Sequence, residues 1–200
     1  MIKVLRSIAV ALLLIAAAQP CYASGEIPFG SPVFYWQYNP RFEPEWLLGR
    51  GQELYSAAMQ GWEPCGIKFV YTGQTDHLPG QRDGINVVGW DPGLAKGKRG
   101  ITRRLIGQKR GLVHEADVAL QPNRKEFLLH PRLLHKVLAH EIGHVMGLVH
   151  ADNCTDVMSV GVNCREVAAE DLPIMPTEHD LLRCRLLNGK QIFHLQGEGI

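Results

Sequence analysis

The fold and the chemistry of this chain are organised around eleven residues: His140-Glu141-Ile142-Gly143-His144-Val145-Met146-Gly147-Leu148-Val149-His150. Two histidines four positions apart lie on one face of a helix, one turn apart, so both imidazoles can reach one metal ion. Gly147 predicts the end of that helix, because glycine enters the left-handed conformation without a Cβ penalty. After that turn, His150 can return as a third ligand. The alternative is a helix with ordinary surface or core histidines, which requires five fixed positions to agree by chance.

These residue types favour a catalytic zinc site. A catalytic zinc takes three protein ligands and leaves its fourth position to water, and the ligands predicted here are His140, His144 and His150. Glu141 is not needed as a ligand. We therefore predict that Glu141 is the general base, which takes a proton from water and passes it to the leaving nitrogen. A bound zinc would lower the pKa of that water to about 7.

A second short segment extends the pattern. Asp156-Val157-Met158-Ser159 follows the third histidine closely. Met158 matches the methionine that metzincin metallopeptidases place in a tight turn beneath the zinc, and the extended histidine pattern belongs to the same family. The chain thus resembles the metzincins and, among them, the matrixins, over residues 33–187. Related matrixins also bind calcium or a second zinc, but Asp76-His77 alone does not form a matching cluster.

The resemblance implies an α+β catalytic domain over residues 24–200. Its parts would be a mixed twisted sheet with a crossover helix, a zinc-binding active-site helix and a small C-terminal subdomain that ends in a helix. It also implies an endopeptidase with one catalytic Zn²⁺ and a protein or peptide substrate. Matrixins carry a pro-segment whose cysteine blocks the zinc, and the predicted leader here ends too close to the first strand for one. The resemblance therefore predicts no latency mechanism for this chain, and the sequence does not predict its oligomeric state.

The predicted elements fit that architecture. β-branched and aromatic runs, or alternation of apolar residues, predict strands at residues 33–38, 67–71, 85–90 and 112–120. Apolar stripes and capping residues predict helices at residues 44–62, from Pro131 through the histidine stretch, and from Thr177 to Gly189 with Asp180 in a capping box.

The matrixin resemblance assigns roles to two further segments. Residues 115–120 would form the edge strand above the cleft, where an extended peptide can pair. The irregular residues 161–176 would form the floor of the specificity pocket.

Residues 91–111 differ from the rest in composition. Five glycines predict a mobile loop. No acidic residue lies between Asp91 and Glu115, whereas seven positive residues do: Lys96, Lys98, Arg99, Arg103, Arg104, Lys109 and Arg110. Such a loop would attract an acidic substrate to the rim of the site, or it is simply a solvated polar loop.

The N-terminus predicts an export signal at residues 1–23. Lys3 and Arg6 give a positive start, an apolar run follows, and Ala23 supplies a small residue for cleavage. A retained anchor and a lipid attached at Cys21 are the alternatives, although the run is short for a membrane span. Cleavage would remove two of the 21 basic residues, which leaves 19 against 20 acidic ones. That balance gives no argument for nucleic acid or membrane binding. Because of the cleavable signal, we expect a secreted or periplasmic protein.

The cysteines support the same compartment. Loss of Cys21 leaves four, and an even number in an exported protein indicates two disulfides. Of the three pairings, we favour Cys154 with Cys164, which closes a short loop around Met158, and by elimination Cys65 with Cys184.

The sequence therefore predicts an exported zinc-dependent endopeptidase. One alternative is an exported zinc-binding module without turnover, although a structural zinc would close its fourth position with another ligand. The other is a zinc hydrolase that acts on a non-peptide amide.

Overall fold

The computed structural model describes residues 25–108, 111–160, 171 and 173–197. The predicted signal at residues 1–23 lies outside the described residues, and so does most of the predicted pocket floor. Within the ranges just given, no helix is both long and apolar enough to cross a membrane.

Five strands form one mixed sheet in the order β2-β1-β3-β5-β4. Their bounds are β1 Val33–Tyr38, β2 Lys68–Gln74, β3 Val87–Trp90, β4 Gly100–Ile106 and β5 Val113–Leu120. Strand β4 runs antiparallel to β5, and the other neighbours are parallel. Every strand that the sequence predicts is present, and β4 is additional.

The helices complete an α+β domain, as predicted. Their bounds are α1 Gly51–Trp62, α2 Lys125–Leu129, α3 Pro131–Val145 and α4 Glu178–Gly197, and short 3-10 turns occur at Glu45–Leu47 and Glu63–Cys65. Helix α1 is the crossover between the parallel strands β1 and β2. Helix α3 begins at a proline, whose missing N–H is one that the first turn does not use.

The core lies between the sheet and the two central helices. Three buried tryptophans, Trp36, Trp62 and Trp90, are among its largest side chains. The Trp62 indole Nε1 donates to the Ala139 carbonyl over 2.9 Å, so α1 is joined to α3 by a hydrogen bond within the core. Helix α3 packs against α1 on one side and against β4 and β5 on another. This packing fixes the height and rotation of the helix that carries the paired histidines.

The predicted helix at residues 44–62 is broken. The 3-10 turn Glu45–Leu47 ends at Leu48, whose φ is 54°, and Gly49 follows with a φ of 80°. Two successive residues with positive φ cannot belong to a right-handed helix, and α1 begins only at Gly51. The apolar stripe seen in the sequence therefore spans two elements, not one helix.

The predicted mobile loop at residues 91–111 is wrong in its centre. Residues 100–106 form strand β4, which pairs with β5 from Gly100 opposite Leu120 to Ile106 opposite Val113. Positive charge does not oppose this pairing, because an edge strand keeps one side open to solvent, and charged side chains are common there. The same finding corrects the edge strand: residues 115–120 lie inside the sheet, and β4 is the edge.

The last helix also continues beyond its predicted end at Gly189, to Gly197. One glycine inside a helix costs only about 1 kcal/mol relative to alanine. Buried Leu187 and a disulfide between Cys65 and Cys184 anchor the preceding turns. That disulfide confirms one predicted pair. Cys154 is disulfide-bonded as well, and its predicted partner Cys164 lies outside the described residues.

Candidate metal centre

Helix α3 brings the first two predicted ligands together. His140 and His144 stand one turn apart on the same face, and their ring centroids are 4.7 Å apart. Both are half-buried, because the opposite face of the helix is packed into the core. The i, i+4 spacing thus gives the predicted geometry once the helix is held against the sheet.

The turn after α3 brings in the third predicted ligand. Gly147 has a φ of 93°, and its N–H donates to the His144 carbonyl over 3.0 Å, which closes the helix end. A Cβ on Gly147 would lie 1.9 Å from the carbonyl oxygen of Ile27, so no larger residue fits. The chain then reverses, and the His150 ring lies 5.2 Å from that of His140 and 4.9 Å from that of His144.

Two main-chain carbonyls fix the orientation of the helical imidazoles. Nδ1 of His140 lies 2.9 Å from the Val157 oxygen, and Nδ1 of His144 lies 2.8 Å from the Leu148 oxygen. A carbonyl oxygen only accepts hydrogen bonds, so each Nδ1 carries the hydrogen and donates. Each Nε2 is then left with its lone pair. This is the second contact that metal-binding histidines usually make.

The three imidazoles can present neutral nitrogens to one point. One ligand atom from each of His140, His144 and His150 lies within 4.8 Å of the others. Burial lowers the pKa of His140 to about 4 and that of His144 to about 3, and it also lowers the pKa of His150. Neutral imidazole is the form that binds metal, so the donor set fits a zinc ion. Among the residues that the structure describes, no fourth His, Cys, Asp or Glu belongs to this group.

Glu141 points from the same helix toward strand β4. Its side chain is 7% exposed, and burial raises the pKa of its carboxyl group to about 7. The Thr102 hydroxyl lies 2.7 Å from the carboxylate oxygen Oε2 and 2.8 Å from the Glu141 carbonyl oxygen. The Thr102 hydroxyl and the charge of Lys98 lower this pKa, but burial outweighs both, so the carboxylate is poised to accept a proton.

Met158 forms the floor beneath the helix. Its side chain is fully buried, and its sulfur lies 2.2 Å from where a Cβ on Gly143 would be. The absence of a side chain at Gly143 therefore lets the methionine reach the underside of α3. The N–H of Ala151 donates to the Met158 carbonyl over 2.9 Å, which holds this turn against the segment that carries His150.

A buried carboxylate fixes the same turn from the other side. Asp180 is 0% exposed, and its Oδ2 accepts from the Val157 N–H over 2.8 Å and from the Thr177 N–H over 3.0 Å. The capping box predicts only the contact with Thr177. The contact with Val157 joins helix α4 to the turn that orients His140.

The contact of Thr102 with Glu141 and that of Asp180 with Val157 were not predicted from the sequence. For Thr102, an available signal is the pair of apolar and β-branched dipeptides, Ile101-Thr102 and Leu105-Ile106, at the two ends of the basic dipeptide. No signal within the sequence indicates that Asp180 contacts Val157, because 23 residues separate them.

In the described part of the chain, the second metal site considered at Asp76-His77 does not form, and two arginines of the basic segment are paired. His77 contacts Asp83 over 2.7 Å on the surface and belongs to no group of three metal-binding residues in the described part of the chain. In the basic segment, Arg99 binds Glu126 and Arg103 contacts Asp91. Lys109 and Arg110 lie outside the described residues.

Neither protein-family models nor curated sequences give a match for this chain. Some solved structures resemble it. The GM1-bound form of the ECX AB5 holotoxin is 14% identical, with 82% of this chain and 84% of that chain covered and a TM-score of 0.48. Archaemetzincin from Methanopyrus kandleri is 17% identical, with 82% and 97% covered and a TM-score of 0.48. A zinc-dependent peptidase from Methanocorpusculum labreanum is 15% identical, with 76% and 99% covered and a TM-score of 0.41. At these values the likenesses carry no argument about function, which depends on the site itself.

Proposed function

We propose that the chain is a zinc-dependent endopeptidase of the matrixin-like metzincin type. The observation that carries the proposal is the convergence of three neutral imidazoles within 4.8 Å, with a buried carboxylate beside them that is not part of the group. A structural zinc site is normally closed by four protein ligands, whereas a catalytic site keeps one position open.

In this proposal His140, His144 and His150 hold one Zn²⁺. When bound, zinc acts as a Lewis acid that makes water more acidic and polarises a carbonyl group. Glu141 takes the proton from the attacking water and delivers it to the leaving peptide nitrogen. Thr102 keeps the Glu141 carboxylate on the side of β4 during these transfers. Met158 supports the helix and takes no part in the chemistry.

The substrate proposed is a protein or peptide in extended conformation. Strand β4 is one of the two edge strands of the sheet, and it packs against the helix that carries the site. Its free N–H and C=O groups allow a peptide to add as a further strand. This supports peptide bonds over a non-peptide amide.

The test compares wild type with Glu141→Gln and His150→Ala on a mixed denatured-protein substrate, with and without a chelator. Glu141→Gln keeps the size of the side chain but accepts no proton. We expect it to retain zinc and the fold and to lose activity, of which roughly 10²–10⁴-fold is the share of general acid–base catalysis. His150→Ala should lose zinc, because two protein ligands remain. His130→Ala, an exposed histidine at the start of the same helix, is the matched control and should change neither property.

Metal content, circular dichroism and cleavage are measured together. If wild type binds zinc, cleaves nothing and equals Glu141→Gln in every assay, the protein is a binding module and the proposal is wrong. If Glu141→Gln loses its zinc, Glu141 contacts the metal and its assignment as the base is wrong.

We also propose that the chain is exported to a secreted or periplasmic location. The sequence of residues 1–23 supports this, and the disulfide between Cys65 and Cys184 fits an oxidising compartment. N-terminal sequencing of protein recovered outside the cytoplasm should begin near Ser24. An intact Met1, or a lipid on Cys21, would contradict cleavage there.

A further inference from the structure

Strand β4 presents two different faces. Gly100 and Thr102 both face helix α3: the hydroxyl of Thr102 contacts Glu141, and a Cβ on Gly100 would lie 2.9 Å from the Glu141 carboxylate oxygen Oε1. Side chains alternate along a strand, so Arg104 lies on this same face, one step farther along. Arg103 lies on the opposite face, where it contacts Asp91 and the Pro79 carbonyl.

Arg104 is half-buried, and one end of its guanidinium group is unsatisfied. Nη1 of Arg104 is buried, and it has no hydrogen-bond partner among the described residues. Burial lowers the pKa of the Arg104 guanidinium, and no carboxylate of a described residue counteracts that effect. Arg103 and Arg99 differ from Arg104 in this respect, because each of them contacts a carboxylate.

Arg104 stands two residues beyond Thr102, on the strand face from which Thr102 contacts Glu141 of helix α3. This face therefore carries a hydroxyl beside Glu141 and, two residues farther along, a cation. Both lie along the line that a peptide added to the edge of β4 would follow.

A partly desolvated cation without a partner is unfavourable, and an anion that enters the site relieves that cost. Guanidinium binds carboxylate with two parallel hydrogen bonds, which neither a carbonyl nor an amide reproduces. Nη1 itself is closed to solvent, so the carboxylate would reach the guanidinium from its exposed side, and its negative charge would offset the cost of the buried donor. The chemistry that fits this position is therefore a carboxylate of the substrate.

We propose that Arg104 determines substrate specificity by binding a carboxylate of the peptide near the metal centre. The carboxylate comes from an acidic side chain or from the C-terminus of the peptide. The inference rests on the proposed peptidase function and adds the class of substrate.

The experiment measures binding apart from turnover. Zinc-loaded Glu141→Gln protein is immobilised and exposed to randomised pentapeptides with an acetylated N-terminus. One pair of pools has Glu or Gln at the central position and an amidated C-terminus. A second pair has Gln at the centre and a free or amidated C-terminus. Mass spectrometry gives the ratio of retained peptides within each pair, and the same pools are incubated with active wild type to detect cleavage.

We expect retention of one acidic pool over its neutral partner by roughly tenfold to a hundredfold, which corresponds to a hydrogen bond with a charged group. The pair that shows the preference identifies the source of the carboxylate. Adding Arg104→Gln should bring the ratio close to one, and Arg104→Lys, which keeps the charge but loses the paired donors, should give an intermediate ratio. Adding Arg103→Gln removes the same charge from the other face and should leave the ratio unchanged.

Circular dichroism and zinc content confirm that each variant is folded and loaded. A preference that persists in the Arg104→Gln protein would overturn the inference, since the carboxylate would then bind the metal or another cation. Equal retention of the acidic and neutral pools by the parent protein would overturn it as well. Selective retention that depends on Arg104, with no cleavage by wild type, would instead disprove the peptidase function and leave the carboxylate site standing.

Discussion

Helix α3 and strand β4 supply the polar groups of the site from two sides, and they hold them differently. On α3, the Nδ1 of each helical imidazole is fixed by a main-chain carbonyl, at 2.9 Å for His140 and 2.8 Å for His144. On β4, Thr102 contacts Glu141, but the buried Nη1 of Arg104 has no partner in the described part of the chain.

The difference separates two tasks. The helix side is complete within the protein, which suits residues that must keep a fixed geometry toward a metal. The strand side has an open pairing edge and an unsatisfied cation, which suits a surface that a substrate completes.

The largest effect on stability is expected from Gly147→Ala at the end of α3. The new Cβ would overlap the Ile27 carbonyl, and an alanine at φ 93° is strained. The left-handed conformation costs roughly 1–2 kcal/mol and the overlap roughly 1–3, so the free energy of unfolding should fall by about 2–5 kcal/mol. Urea denaturation measures it.

Gly49→Ala is the matched control, because Gly49 has a φ of 80° but no atom within 4 Å of the added Cβ. Its free energy of unfolding should fall only by the cost of the left-handed conformation, roughly 1–2 kcal/mol. If both variants lose the same free energy, contact with Ile27 does not determine the turn that brings His150 to the site.

A smaller effect on the free energy of unfolding is expected on the sheet, from the titration of Asp117 on β5. Asp117 is 2% exposed, and burial raises the pKa of its carboxyl group from 3.8 to about 6. Between those values the folded protein binds more protons than the unfolded chain, so this group makes the protein less stable as the pH rises from 4 to 6. The loss reaches at most about 3 kcal/mol, and Asp117→Asn should abolish it.

The measurement is the free energy of unfolding against pH for both proteins. The Asp117 carboxylate accepts hydrogen bonds from the Val87 and Gly80 N–H groups, and Asp117→Asn alters them. This alteration offsets one stability curve from the other by a constant amount, so only the difference in slope between the curves is diagnostic. Parallel curves between pH 4 and 6 would show that the Asp117 carboxyl titrates as it does in the unfolded chain.

The smallest effect is expected from Thr102→Val, which removes one hydroxyl without changing the shape of the side chain. If Thr102 positions Glu141, kcat should fall about tenfold while KM stays nearly constant, which corresponds to one hydrogen bond of about 1.4 kcal/mol. Thr102→Ser should restore kcat.

Thr72→Val is the control for this variant, since Thr72 lies on β2 at the other edge of the sheet and donates to the Trp36 carbonyl. It should not change kcat. Failure of Thr102→Ser to restore activity would indicate that packing of the methyl group, not the hydroxyl, supports the site.

Much of the helix side was predictable from the sequence. Spacing within a helix is a local property, so positions 140 and 144 share a face wherever the helix packs. The end of α3 was also predictable, because only glycine fits its conformation. Strand β1 also has the bounds that the sequence predicts. The helix predicted at residues 44–62, in contrast, is broken where Leu48 and Gly49 adopt positive φ.

The strand side was not predictable in the same way. Seven positive residues and five glycines outweighed the β-branched signal of residues 100–106. Whether such a segment is a strand depends on a partner, and β5 supplies the N–H and C=O groups that pair with it. The matrixin resemblance assigned the edge to residues 115–120, but pairing with β4 places them inside the sheet.

The sequence by itself determined the three imidazoles, the carboxylate beside them and the methionine turn, because short spacings within a helix and its end fix which side chains lie close together. Only the tertiary structure decided that Asp180 holds the turn, that Thr102 holds Glu141 and that Arg104 shares the face of β4 that carries Thr102. Those contacts join residues 23 and 39 positions apart in the first two cases. They follow from strand pairing and helix packing, which depend on the whole chain.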